Sequence, residues 1–453
     1  MTDISGGPAA LPVPKSRRGS LLTQDALTKR RNAAEARFKA YGAVAITLSM
    51  LALVWLLISI ISVGAPAFRQ TFLTMPIELP EDKLDKSGTR DPAVMAKVTT
   101  VGYAAVIQAA LTKAIKEKGI STDGMTPKDI AGIVSLEAPA QLRNHVLANP
   151  DLVGQTIDFE ILANGRVDGF FKGRVTMETA RLDSNIKPEQ LVLAERLVDA
   201  GIMAQRFNWG FITAPDASDQ RPEAAGLGVA IIGSFYMMIV VLVLSLPIGV
   251  AASIYLEEFA PKNRLTDLIE VNIANLAAVP SIVFGILGLA VFINFAGLPQ
   301  SAPIVGGLVL TLMTLPRIII PARAALKSVP PSIRDAALGV GASRLQSVFH
   351  HVLPLAAPGI LTGMIIGLAQ ALGETAPLLL IGMVAFVRDY PSAPMQGFFD
   401  PASALPVQVF NWTVRGDPGF VERASGAIIV LLIFLLIMNA VAIILRRRFE
   451  RRW

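Results

Sequence analysis

Residues 42–64 read GAVAITLSMLALVWLLISIISVG, a run without one charged side chain. Wound as a helix it is about 34 Å long, enough to cross the hydrocarbon core of a bilayer. Further apolar runs lie near 228–255, 271–294, 303–325, 356–386 and 426–445, so six spans are expected. Asn272, Asn275 and Arg317 interrupt the third and fourth of them. Only 17% of the chain is charged, against about 25% in soluble domains. An all-α polytopic membrane protein is the fold class these runs require.

The basic residues crowd the two ends. Residues 1–41 hold eight Lys and Arg against three acids, and 446–452 hold five Arg against one Glu. Such clusters beside apolar runs mark the cytoplasmic side. Both termini and the loops 256–270 and 326–355 are therefore expected inside, with 65–225 and 387–425 outside. The net charge of +6 then orients the chain and does not signal nucleic acid. No cleavable signal sequence is expected, because the first apolar run starts late and is too long for a signal core. The resulting division is a disordered cytoplasmic tail over 1–41, a first span over 42–64, an outer insert over 65–225, five more spans within 226–446, and a basic tail over 447–453.

The insert carries 18 basic and 21 acidic residues, an ordinary soluble balance. Helical patterns occupy 104–119 and 188–202, and DGFFKGRVTME (168–178) alternates like a strand. A small α/β domain is expected, either a structured insert without ligand chemistry or a docking surface for an extracytoplasmic partner.

Several chemistries are excluded. The absence of cysteine removes disulfides, iron–sulfur clusters and thiolate zinc sites. The three histidines, His145, His350 and His351, form no metal-binding pattern, and no catalytic triad can be argued from spacing. No Gly-Lys pair occurs anywhere, so the chain lacks a phosphate-cradling nucleotide loop. No catalytic residue, metal or bound cofactor is expected.

The segment VPPSIRDAALGVGASRLQSVFHHVLPLAAPGI (329–360) is the most informative. Pro330 and Pro331 stop the preceding span and prepare a new helix, which Ser332 is expected to cap with Asp335 three residues on. Gly339 and Gly341 permit a sharp turn, and SRLQSVFHHV begins a second amphipathic helix. Two short helices meeting at a bend suit insertion into a groove on another protein, or a position along the membrane surface. This segment resembles the coupling loop of ABC importer permeases. The triplet is Asp335-Ala336-Ala337, Gly341 follows after three residues, and Leu353-Pro354 forms the exit. Asp335 stands where glutamate is usual and His351 where isoleucine is common. The resemblance implies that the loop, within 329–354, fits a cleft in a separate cytoplasmic ATPase that uses ATP and magnesium.

VPSIVFGILGL (279–289), GETAPLL (373–379) and NWGFITAP (208–215) are similar to segments of phosphate importer permeases. That resemblance covers about 208–446 and implies the type I importer fold, a bacterial inner-membrane location, and a heterodimer with a second phosphate permease. It also implies a periplasmic phosphate-binding protein and inorganic phosphate as cargo. Ser281 and Thr375 fall within the matching stretches and are implied in the translocation path.

Glu374 lies deep in an apolar stretch, where a charge costs about 2.5–3.5 kcal/mol on insertion scales. It must face protein or water. Gly359, Gly363 and Gly367 recur every fourth residue, and Gln370 and Glu374 nearly continue that stripe, which suggests a glycine seam ending in a polar patch. Pro377 is expected to kink the helix. A carboxylate repels phosphate, so Glu374 is expected to pair with Arg317, whose guanidinium can hold an oxyanion. The alternative for Arg317, and the favoured reading for Arg323, is snorkelling to the inner interface. Phosphate permeases of this type often carry an arginine before GETAP, where this chain has Gln370, and an Arg-Thr pair in the region of Ile320-Pro321. The rival functions are import of another solute, such as sulfate, molybdate or a polyamine, and a membrane sensor or scaffold built around the insert.

Overall fold

The computed structural model describes residues 26–85, 88–384 and 386–449. Residues 1–25 of the expected tail and 450–453 of the basic end therefore lie outside the described residues. The chain divides into two compact units, Met1–Ser59 and Ile60–Trp453.

Helix α1, Ala26–Gly64, supplies the first unit and runs into the second. It starts at Ala26, so the disordered tail expected up to residue 41 is corrected over 26–41. The reason is local: that stretch has no Gly or Pro, is rich in Ala, Lys and Arg, and pairs Glu35 with Lys39 at 2.6 Å across one turn. Beyond it, Leu48, Trp55 and Ile58 are all exposed. An apolar surface of that kind belongs in lipid or against another protein.

The insert is built on a three-stranded sheet: β1 (Arg69–Glu78), β2 (Thr156–Leu162) and β3 (Met203–Phe207). β1 is central and both neighbours are antiparallel to it, with Phe72 opposite Leu162 and Leu73 opposite Met203. Leu73, Met75 and Ile77 alternate into the core against Tyr103, Ile107 and Leu111 of α2 (Thr100–Glu117). An antiparallel sheet with helices on it is α+β architecture, where an α/β domain was expected. The strand expected over 168–178 is also corrected. Helix α3 (Gly165–Phe171) occupies its first half, and a helical turn follows at Met177–Ala180. Asn164 accepts the Arg166 N–H at 2.9 Å and so starts the helix, and Gly173 at φ +76 ends it. A further helix, α4 (Pro188–Asp199), leads into β3.

The second half is helical. Its elements are α5 (Gly228–Ile254, continued by a turn to Phe259), α6 (Arg264–Ala277), α7 (Ser281–Gly288, continued to Phe295), α8 (Pro303–Lys327), α9 (Pro331–Gly339), α10 (Leu353–Leu372), α11 (Ala376–Leu380), α12 (Leu405–Val414) and α13 (Pro418–Phe449). Among the described residues five helices are long and apolar enough to cross a membrane, or six if the α6–α7 pair counts as one. That pair bends through 101°. A span was expected over 271–294; the chain instead breaks after α6, with Pro280 in extended backbone at the start of α7 and without a donor to continue the preceding helix.

Glycines let the spans approach closely. A Cβ on Gly249 of α5 would stand 2.8 Å from Ile318 of α8. On α10, a Cβ at Gly359 would meet Ala325 at 2.7 Å, one at Gly363 would meet Pro321 at 2.7 Å, and one at Gly367 would meet Thr314 at 3.2 Å. The glycine stripe is thus a seam against α8.

The insert is fastened to α13 by buried charges. Lys172, itself buried, lies 2.7 Å from Asp168 Oδ2 and 2.9 Å from Glu422 Oε1, and Arg174 Nε lies 2.6 Å from Glu422 Oε2. Arg423 donates to Gln70 Oε1 at 2.7 Å and to the Glu223 carbonyl at 2.9 Å. Ser135 donates to Glu223 Oε1 at 2.5 Å, and burial pushes the Glu223 carboxyl above its ordinary range.

Two expectations follow. Gly363→Leu forces α8 and α10 apart and lowers stability by about 1–3 kcal/mol, readable as an earlier thermal transition of the purified protein. A carboxyl whose pKa is raised on folding favours the fold while protonated, and that contribution is lost as pH rises through the raised value. Glu223→Gln should therefore flatten the decline of melting temperature with pH across that window, measured by scanning fluorimetry.

Candidate translocation and coupling sites

The GETAP stretch does not continue the helix before it. α10 ends at Leu372, where the Gly373 N–H donates to the Gln370 carbonyl at 3.2 Å. Pro377 then sits in the first turn of α11, a favoured place for proline because no helical donor is needed there. The expected kink is a full break. It frees Glu374 from any helix and lets its side chain turn to α8.

Arg317 answers it. Its Nη1 stands 3.7 Å from Glu374 Oε1, with each side chain about one-fifth exposed (22% and 19%). That separation exceeds a hydrogen bond, and Nη1 is buried without another partner. The guanidinium is neutralised by the carboxylate yet keeps donor capacity in hand. Thr375 precedes α11 and is half-buried; its carbonyl accepts the Leu378 N–H at 3.0 Å and the Leu379 N–H at 3.1 Å. Ser281 opens α7 and is also half-buried. α7 lies against α11: a Cβ on Gly285 would come within 2.7 Å of Pro377 Cα. Gln370 is exposed.

Arg323, expected to snorkel to the inner interface, has acid partners on two neighbouring elements. It donates to Glu270 of α6 at 2.6 Å and approaches Glu257 at 3.5 Å, tying α8 to α6 and to the turn after α5. The sequence held a hint in the acids that flank the second and third apolar runs, Glu257 and Glu270.

The loop after α8 forms a bent helix pair. α9 carries Asp335 and Ala336 exposed and Ala337 buried. Gly341 turns the chain at φ +91, a conformation that strains any other residue. Ser332 does not cap α9; Pro330 holds that position without a side-chain bond. The reciprocal cap belongs to the second helix, where Ser343 accepts the Gln346 N–H at 3.2 Å and Gln346 Oε1 accepts the Ser343 N–H at 2.8 Å. From Arg344 this helix runs through Leu353 and Pro354 into α10 without ending, so it is the first part of a long span.

Among the described residues no group of three or more metal-ligating side chains converges. A cleft of about 660 Å³ lies at the base of the insert, lined in part by Asn164, Arg166, Glu223 and Asp417. Arg166 is already paired with Asp183 at 2.9 Å and Asp417 at 3.1 Å, so its charge is spoken for.

Residues 245–453 match the family described as binding-protein-dependent transport system inner membrane component, and 25–181 match a domain of unknown function, DUF3333. The chain is 33% identical over 248 residues to the probable ABC transporter permease protein YqgI of Bacillus subtilis, covering 52% of this chain and 82% of that one. It is 31% identical over 251 residues to the phosphate transport system permease protein PstA 2 of Mycobacterium bovis, covering 54% and 79%. The chain belongs to the PstA-like ABC transporter permeases. A solved structure of the MetNI methionine ABC transporter is similar at 17% identity and a TM-score of 0.37, covering 50% of this chain and 95% of that one. As a member of this family the chain is a transport subunit, multi-pass in the inner membrane.

In this permease the Arg317–Glu374 pair should behave as one unit. Glu374→Gln strips the guanidinium of its counter-charge and should cost about 1–2 kcal/mol. The charge-exchanged double variant, Arg317→Glu with Glu374→Arg, should recover most of the lost melting temperature in detergent.

Proposed function

We propose that this chain is the permease subunit of an ATP-driven importer of inorganic phosphate. It pairs with a second, related phosphate permease, and phosphate crosses between the two helical bundles. A periplasmic phosphate-binding protein delivers the cargo, and separate cytoplasmic subunits bind and hydrolyse ATP with magnesium. This chain performs no covalent chemistry. The α6–α7 pair counts as the third of six crossings, both termini lie in the cytoplasm, and the insert stands outside. The helix pair containing Asp335, Ala336, Ala337 and Gly341 seats in the ATPase cleft, and Leu353-Pro354 passes the motion into α10.

One observation carries the reading: a half-buried arginine, held by a carboxylate beyond hydrogen-bond distance, with a donor to spare. A guanidinium binds a tetrahedral oxyanion through paired N–H donors, while the neighbouring carboxylate keeps the contact weak enough for release. Thr375 and Ser281 add hydroxyls near the helix break and the bent pair, and Gln370 lies one turn before Glu374. Relatives named as phosphate permeases support phosphate over other oxyanions. The generic name of another relative keeps sulfate and molybdate as rivals, and an arginine in the path disfavours a polyamine.

The test is uptake into vesicles holding the full complex with its ATPase and binding protein. ATP-driven accumulation of radiolabelled phosphate, without sulfate, is expected. Arg317→Ala should assemble normally and import at least about tenfold less. Sulfate uptake without phosphate uptake, or wild-type import by Arg317→Ala, would overturn the reading.

A further inference from the structure

Two charged residues outside the proposed path meet where three elements converge: the turn Tyr255–Phe259, the end of α8, and α9. Glu258 is buried, 5% exposed. Arg334 of α9 grips it from the side: Nε lies 3.2 Å from each carboxylate oxygen and Nη2 lies 2.5 Å from Oε1. The same guanidinium donates through Nη1 to the Val329 carbonyl at 2.7 Å and through Nη2 to the Leu326 carbonyl at 2.9 Å. These acceptors lie at the C-terminal end of α8 and just beyond it, where a helix leaves carbonyls without partners. Arg344, across the Gly341 turn, lies over the Phe259 ring at 5.5 Å. Ile254, Leu326, Val329, Val348 and Val352 form an apolar cluster around the point, with Ile333 packed on it.

Without this contact α9 would be poorly held. It is nine residues long, joined to α8 by a short link and to the next helix by the open turn at Gly341, where a Cβ would meet nothing within 4 Å. A short helix between two such joints can swivel, and a force applied to it dissipates in rotation. A forked arginine on a carboxylate fixes both distance and angle, which a lysine's point charge does not.

We infer that Arg334 and Glu258 form a positioning latch that makes α9 move as one body with the adjoining ends of α5 and α8. A displacement of the helix bearing Asp335 then reaches two spans directly through the latch, besides the third it reaches along the chain. The inference rests on the reading of α9 as the ATPase-facing helix. Arg334 touches neither cargo nor nucleotide; it acts through the helices it joins.

The chain has no cysteine, so Tyr255→Cys and Ser332→Cys introduce a unique pair of spin labels, one on the Glu258 turn and one on α9. Pulsed electron spin resonance on the full reconstituted complex reads their separation with and without ATP. The parent should give one narrow distance that ATP leaves unchanged. Arg334→Glu should retain its ATPase on purification, show a distance that broadens or shifts with ATP, and import about tenfold less phosphate per ATP hydrolysed. Arg334→Lys should fall between, and Glu258→Gln gives a second route should Arg334→Glu fail to fold. A parent distance that moves with ATP, or variants whose distance stays narrow and fixed, would overturn the latch. If the parent imports no phosphate but the distances behave as described, the cargo assignment fails and the latch stands. A complex that holds no ATPase removes both.

Discussion

A charge inside an apolar chain must find a partner, and most of this permease's architecture follows from how that demand is met. Placing an ion in hydrocarbon costs several kcal/mol, so each intramembrane charge is held by a neighbour or by water. Arg317 takes Glu374 at the break after α10, and the same demand is met beyond the apolar runs, where Arg323 takes Glu270 and Arg334 takes Glu258. Each pair joins two different helices or a helix and a break, so each fixes a relative position that apolar packing leaves free to slide. The pairs differ in tightness. Arg334 and Arg323 are within hydrogen-bond reach of their acids, while Arg317 stands off at 3.7 Å. The tight pairs fix the helices they join, and the loose one leaves an arginine donor uncommitted.

The helices provide the frame. α8 lies at the centre, with α5 against one side and the glycine seam of α10 against another. Pro316 and Pro321 fall inside α8. Each removes one backbone donor from the helix, and Gly363 brings α10 directly onto Pro321. Close glycine contacts leave little room between these helices. The helical half breaks at 278–280, at Gly341 and at 373–375.

Much of this was legible in the residues. The apolar runs marked the long helices because chain length against bilayer thickness leaves little choice. The fourfold glycine spacing marked a seam, and an isolated Glu374 demanded a cation that the preceding span supplied in Arg317. What stayed hidden depends on tertiary context or on competition between local signals. DGFFKGRVTME alternates like a strand, but Asn164 just before it offers a cap and helix wins. Ser332 looked like a cap, yet Ser343 has the glutamine at the right spacing and closes the reciprocal pair. The apolar run over 271–294 gave no sign of its 101° turn beyond Pro280. The latch was invisible because Glu258 and Arg334 lie 76 positions apart, and nothing in either neighbourhood names the other.

The fastening of the insert to α13 has a consequence for biosynthesis. Lys172 reaches Glu422 across 250 positions, and Gln70 meets Arg423 across 353. A ribosome delivers the sheet and its helices long before the last span exists. During that interval Lys172 can hold Asp168, but Arg174 lacks its nearest acid and Gln70 its guanidinium. The insert thus leaves synthesis as a part waiting for its final fastening. Arrival of α13 closes the charge cluster and fixes the insert to the helical half.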